Sequence, residues 1–165
     1  MCFLRDMSAE SAMETYKLAL PHKDKILGIG LDSDERQNPP GKFKEVFALA
    51  KKDDFHITMH CDIDQENSIE HIREALMDIG VERIDHGTNI VEDPTRVQYV
   101  KDHNIGFTCC PVSNSLVVDD MKGKEMLGLL DQGIQITVNS DDPAYLQSYI
   151  SDDMYALAEK YNISK

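Results

Sequence analysis

Ile134-Gln135-Ile136-Thr137-Val138-Asn139-Ser140-Asp141-Asp142-Pro143 is an apolar run that stops abruptly at two adjacent carboxylates and a proline. Ile134, Ile136 and Val138 are β-branched and lie between Gly133 and Pro143, so the run reads as a short buried strand with Asp141 and Asp142 at its C-terminal end. In parallel α/β folds that end of a strand carries the chemistry. Neighbouring carboxylates repel when both are ionised, and a metal ion is the obvious source of compensating charge. The competing reading is that Asp142-Pro143 caps the next helix, with the proline at its first position. The other strand ends decide between the two.

Working outward, the same unit recurs. Ser8 to Glu14 has cap-type serines and a Ser-x-x-Glu box, followed by Tyr16, Leu18, Ala19 and Leu20 and ended by Pro21, which predicts an opening helix. Lys25 to Leu31 reads as a strand that runs into Asp32-Ser33-Asp34-Glu35, and Phe43, Val46, Phe47 and Ala50 form a helical stripe. Phe55 to His60 is the next strand, ending in His60-Cys61-Asp62-Ile63-Asp64. Asn67 with Glu70 predicts a capped helix through Ile72, Ala75, Leu76 and Ile79 to Gly80. Arg83-Ile84-Asp85 delivers His86-Gly87, and Asp93-Pro94 starts a helix that turns Val97 and Val100 inward. Ile105 to Cys110 is a strand stopped by Pro111-Val112-Ser113-Asn114, where Ser113-Asn114 reads either as a loop cap or as a substrate contact. Met121 to Leu130 and Ala144 to Tyr161 are predicted helices, the second interrupted around Ser151-Asp152-Asp153.

About five strand–helix units with short connections imply an α/β fold with a parallel sheet and right-handed crossovers. A doubly wound sheet gathers ligand groups at one switch point, whereas a barrel brings every strand end to one mouth. Polar residues gather at consecutive strand ends here, at Asp32 to Glu35, His60 to Asp64, His86, Ser113-Asn114 and Asp141-Asp142, so a (β/α) barrel of TIM type is favoured. No Gly-x-Gly-x-x-Gly turn follows any strand.

The chain has 165 residues, 41% apolar and 28% charged, which suits one soluble globular domain spanning 1–165. A formal charge of −13 argues against nucleic acid and against anionic membranes, and no apolar run approaches membrane-spanning length. Cys2, Cys61, Cys109 and Cys110 show no paired metal-ligand spacing and read as buried free thiols of a reducing cytoplasm. His56, His71 and His103 read as satisfied polar residues.

The motifs Gly28-Ile29-Gly30-Leu31-Asp32-Ser33-Asp34-Glu35, Met59-His60, Arg83-Ile84-Asp85-His86-Gly87, Cys110-Pro111-Val112-Ser113-Asn114 and Val138-Asn139-Ser140-Asp141-Asp142-Pro143 stand in the order and spacing of the adenosine and adenine deaminases. The chain resembles that family over essentially its whole length. The resemblance implies a zinc-dependent purine aminohydrolase on an α/β barrel, acting on a small-molecule purine. It further implies that His60 and Asp141 are zinc ligands and that His86 orients or deprotonates the metal-bound water. By the same resemblance Asp142 accepts a hydrogen bond from the purine, while the backbone at Ser33 and the side chain of Glu35 shape the base pocket. The chemistry is coherent, because attack on an aromatic carbon needs a nucleophile that zinc supplies near neutral pH.

Two departures from the family pattern set further expectations. The His-x-His pair that supplies two zinc ligands in the family is absent from this sequence, as are about three strand–helix units of a barrel that typically takes ~250 residues. The expected architecture is therefore an incomplete, C-terminal part of the barrel, weak or inactive alone, that associates with itself or with a missing N-terminal half. A non-catalytic remnant or partner-binding fragment is the alternative. The family's proton-donating glutamate is replaced by Ile63, so Asp62, Asp64 or Glu66 must stand in, with Asp64 preferred because a loop residue reaches inward freely.

Overall fold

The computed structural model describes residues 1–61 and 65–163. Strand β1 (Cys2–Leu4) leads into α1 (Ala9–Ala19), and β2 (Gly28–Asp32) into α2 (Lys44–Lys52). β3 (His56–Cys61) is followed by α3 (Ser68–Arg73), which continues as a π-helical segment, Glu74–Ile79. β4 (Arg83–His86) leads to α4 (Pro94–Asp102), and β5 (Gly106–Cys109) runs into α5 (Pro111–Val118) and α6 (Gly123–Asp131). β6 (Ile136–Val138), α7 (Pro143–Leu146) and α8 (Ile150–Tyr161) complete the order.

The six strands pair only with their sequence neighbours, in the order β1-β2-β3-β4-β5-β6, and every pairing is parallel. That order settles the architecture. A doubly wound sheet reverses its strand order at a switch point, whereas a barrel adds each strand beside the previous one. The sheet is an open arc of such a barrel, with β1 and β6 each paired on one side among the described residues.

Alternation along the strands builds the core. On β3, Ile57, Met59 and Cys61 are buried toward the helices while Thr58 and His60 turn to the concave face. Ile29, Leu31, Ile84, Phe107 and Cys109 occupy the same helix-facing layer and meet Phe47, Ala50, Leu76, Val100 and Leu129. Each fully buried aliphatic or aromatic side chain contributes about 1.5–3 kcal/mol. The concave face is polar instead. Asp85 on β4 accepts hydrogen bonds from Thr58 on β3 (2.7 Å), from Arg83 Nε (3.1 Å) and from the hydroxyl of Thr108 on β5.

Five of the six strands fall where the sequence puts them. β1 is the addition, a three-residue strand held by its pairing with Gly30 to Asp32 of β2. The expected opening cap is Ser8, whose hydroxyl accepts from the Ser11 amide at 3.2 Å, and Asp93 caps α4 through Thr95 and Arg96. Asn67 makes no side-chain cap bond, contrary to the capping expected there. Pro111 does not end structure after β5 but opens α5, because the missing N–H of a proline costs nothing in a first helical turn. No helix among the described residues is long and apolar enough to cross a membrane.

Candidate active site

The register of the sheet brings the polar strand ends level. His60 pairs with Asp85, Cys61 with His86 and Cys109 with Val138, so residues just beyond β3, β4, β5 and β6 share one rim. The rings of His60 and His86 meet edge to face, with centroids 4.2 Å apart. His86 Nε2 lies 3.6 Å from Asp141 Oδ2. A cleft of about 220 Å³ opens here, and Asp32, His60, Asp85, His86, Cys110 and Asp141 line it.

Three residues reach this rim by unusual backbone. Ser33 (φ 84°), His86 (φ 62°) and Asp141 (φ 57°) are left-handed at the ends of β2, β4 and β6. L-residues with side chains rarely hold that conformation, at a cost of order 1–3 kcal/mol, and it concentrates at functional sites. The reversal at His86 and Gly87 (φ 65°) turns the imidazole out of the strand's alternation and toward Asp141.

Each histidine has its own partner. His60 Nδ1 is hydrogen-bonded to Glu35, a buried carboxylate that also lies 3.4 Å from Arg5. Burial by itself lowers the pKa of His60, but the Glu35 hydrogen bond and the charges of Glu35, Asp32 and Asp141 outweigh it and hold the imidazole above its ordinary value. His86 Nδ1 lies 2.8 Å from Asn114 Oδ1. Burial first, then the positive charge of His60, push His86 below its ordinary value. The amide oxygen of Asn114 accepts, so Nδ1 of neutral His86 carries the proton and Nε2 faces Asp141 with its lone pair.

Of the residues singled out from sequence, His60, His86 and Asp141 converge. Asp142 follows on the same loop, and its exposed carboxylate makes no cap bond to α7, although Pro143 does open that helix. The carboxylate is therefore available for a role other than capping. Ser33 donates its amide to Asp32 Oδ1 at 2.7 Å, and with Asp34, Glu35, Arg36 and His60 it lines a neighbouring cleft of about 250 Å³. Asp62 and Asp64 lie outside the described residues. His56 is paired with Glu82 at 2.6 Å and His103 stacks on Tyr99, away from the rim.

One participant escapes the sequence reading. Cys110 places its thiol in a group with a His86 ring nitrogen and an Asp141 oxygen, all within 4.8 Å of one another, whereas His60 touches this group through the His86 ring. The alternation that buries Cys109 in the core turns Cys110 to the rim, and that signal was present in the adjacent pair. Cys61 faces the core, as its position after His60 requires. Asn114, read from sequence as a loop cap or a substrate contact, meets the His86 ring instead. It is fully buried on α5, where it orients His86 and donates to the Met121 carbonyl at 3.3 Å.

The family model for adenosine deaminase matches residues 1–165. An uncharacterized deaminase of Schizosaccharomyces pombe is 49% identical over 160 residues, which covers 97% of this chain and 47% of that protein. The crystal structure of adenine deaminase from Arthrobacter aurescens is similar with a TM-score of 0.88 and 37% identity, covering 99% of this chain and 50% of that one. A crystal structure of an amidohydrolase from Burkhoderia ambifaria with bound Zn shares the fold, with a TM-score of 0.85 and 23% identity over 94% of this chain and 44% of that one. The chain spans about half the length of the curated relatives it matches, several bacterial adenine deaminases among them. A match across the full chain, joined to an arc of parallel barrel with its polar strand ends at one rim, makes this chain a member of the adenosine deaminase family.

Proposed function

We propose that these residues form the metal-binding and base-recognising part of a zinc-dependent aminohydrolase that converts a 6-aminopurine, adenine in the first instance, to the 6-oxo purine and ammonia. One observation carries the reading. Two histidines and an aspartate from β3, β4 and the loop after β6 meet at the barrel mouth, with rings 4.2 Å apart and a 3.6 Å approach to the carboxylate. Adenine is favoured over adenosine because the relatives that match over the whole of this chain include adenine deaminases.

Zinc suits the donors present. Imidazole nitrogen and carboxylate oxygen are its usual ligands in catalytic sites, and a thiol such as that of Cys110 is compatible with them. His60 and Asp141 would hold the ion, with the Nδ1 of His60 already engaged by Glu35. When bound, zinc supplies Lewis acidity and lowers the pKa of water enough to furnish a nucleophile near neutral pH. The remaining work falls to the protein. His86, whose Nδ1 proton is committed to Asn114, offers Nε2 as the base that takes a proton from the attacking water. Asp142 accepts a hydrogen bond from a purine N–H and fixes the ring's orientation. Asp64, or else Asp62 or Glu66, donates the proton that the ring nitrogen needs as water adds at C6 and ammonia leaves.

Turnover by the 165-residue chain alone is proposed to be weak, because an arc of six strands leaves the mouth open to water and offers zinc few ligands. Either self-association or a partner segment that adds strands and ligands would complete it. Four free thiols, three of them buried, support a reducing, cytoplasmic setting.

The test is metal content and ammonia release from adenine and adenosine. Wild-type chain is expected to bind zinc, to lose it in His60→Ala and Asp141→Asn, and to release ammonia slowly, from adenine first. Zinc content indifferent to both substitutions would refute the reading.

A further inference from the structure

A histidine ligand offers a metal only one ring nitrogen, and the hydrogen bond made by the other nitrogen decides which one and in what direction. At His60 that bond goes to Glu35, 25 residues earlier in the chain. Behind Glu35 stands Arg5, fully buried at 0% exposure. Its Nη1 lies 3.4 Å from Glu35 Oε1 and donates to the main-chain carbonyl of His60 at 2.7 Å. Its Nε donates to the Asn38 carbonyl at 2.9 Å. Lys42 closes the arrangement from outside, donating to the Arg5 carbonyl at 3.0 Å and to Asn38 Oδ1 at 2.9 Å.

A buried ion pair is often no more stabilising than apolar residues of the same volume, so it is a weak contributor to folding. What this pair does contribute is direction. Its named bonds end on His60 itself or on the Glu35–Asn38 loop. The guanidinium grips the His60 backbone while the carboxylate grips the His60 ring, two handles that leave the imidazole one orientation.

We propose that Arg5 and Glu35 are positioning residues of the metal site. Glu35 keeps the proton of His60 on Nδ1, Arg5 fixes both Glu35 and the His60 backbone, and Nε2 alone is offered to the cation. The inference rests on the reading of His60 as a ligand, and it gives Glu35 a task beyond shaping a base pocket.

Glu35→Asp and Glu35→Gln separate the handles. The aspartate keeps the charge beside Arg5 and withdraws it from the ring by one methylene; the glutamine keeps the reach and gives up the charge. Two readouts apply to the purified chain. Imidazole nitrogen–proton correlation spectra, taken at a pH where His60 is neutral, report its tautomer without metal. Competition with a chelator reports zinc affinity. Wild type and Glu35→Gln are expected to hold the Nδ1–H tautomer and similar affinity. Glu35→Asp is expected to mix tautomers and to weaken zinc by about 10–100-fold. Loop anchoring alone would lower stability and leave both readouts unmoved. Glu35→Asp with wild-type tautomer and affinity, while His60→Ala loses zinc, overturns the positioning role and spares the ligand reading. His60→Ala that binds zinc like wild type overturns both.

Discussion

The Nδ1 of His86 lies 2.8 Å from Oδ1 of Asn114, and both side chains are buried. The pair joins the end of β4 to α5, and it engages the His86 ring nitrogen on the side away from Asp141. Asn114→Ala removes the acceptor and leaves a buried N–H without a partner, which costs about 1–3 kcal/mol. Urea unfolding of the variant measures this. An unchanged midpoint would show that His86 is held by something else.

Gly87 follows a residue that is already left-handed and is left-handed itself at φ 65°. A Cβ there would come within 2.6 Å of Ile84 Cγ2 and 2.7 Å of Phe107 Cε1. Gly87→Ala is expected to destabilise the chain by about 1–3 kcal/mol through backbone strain, with more from the collision in the core. It is also expected to shift the ring resonances of His86. Thermal unfolding and imidazole spectra test the two parts separately.

Tyr16 donates its hydroxyl to Asp53, and burial first, then that bond and charge, push its pKa up to about 12 from 10.0. The folded chain therefore keeps a proton that the unfolded chain releases, so stability falls as pH rises between those values. The loss is on the order of 2 kcal/mol. Tyr16→Phe has no such proton. Its stability between pH 10 and 12 should fall less steeply than that of wild type, and equal slopes would place the titration elsewhere.

The thiols differ in access. Cys2 is exposed, while Cys61, Cys109 and Cys110 are buried. Burial pushes Cys109 up to about 12, and burial followed by the charge of Asp141 pushes Cys110 higher still. The thiolate is the reactive form. A chromogenic disulfide should therefore titrate one thiol quickly in the native chain and four in denaturant. Cys2→Ser should abolish the fast phase. A fast phase that survives would mean the rim around Cys110 opens readily.

The fold was largely legible because its signals are local. Short apolar runs gave five strands, and the polar residues at their ends pointed to a barrel mouth. β1 was not legible, since Cys2–Leu4 is too short to show a period and exists by pairing with a strand about 28 residues away. α5 was hidden by Pro111-Val112-Ser113-Asn114, a sequence with the composition of a turn that becomes a first helical turn under packing from α8. At the site, His60, His86 and Asp141 were readable from their places after strands. Glu35 was readable as a site residue, but its partners were not.

By itself the sequence determined the order of strands and helices, the family, and which residue types stand at each strand end. Those follow from chain periodicity and from motifs read in succession. Only the tertiary structure decided that Glu35 grips the ring of His60, that Arg5 reaches the carbonyl of His60 across 55 residues, and that Asn114 meets His86 across 28. Such contacts depend on sheet register and on the direction each side chain leaves its backbone. Both are fixed when neighbouring strands pair in space, and neither is written in the spacing along one chain.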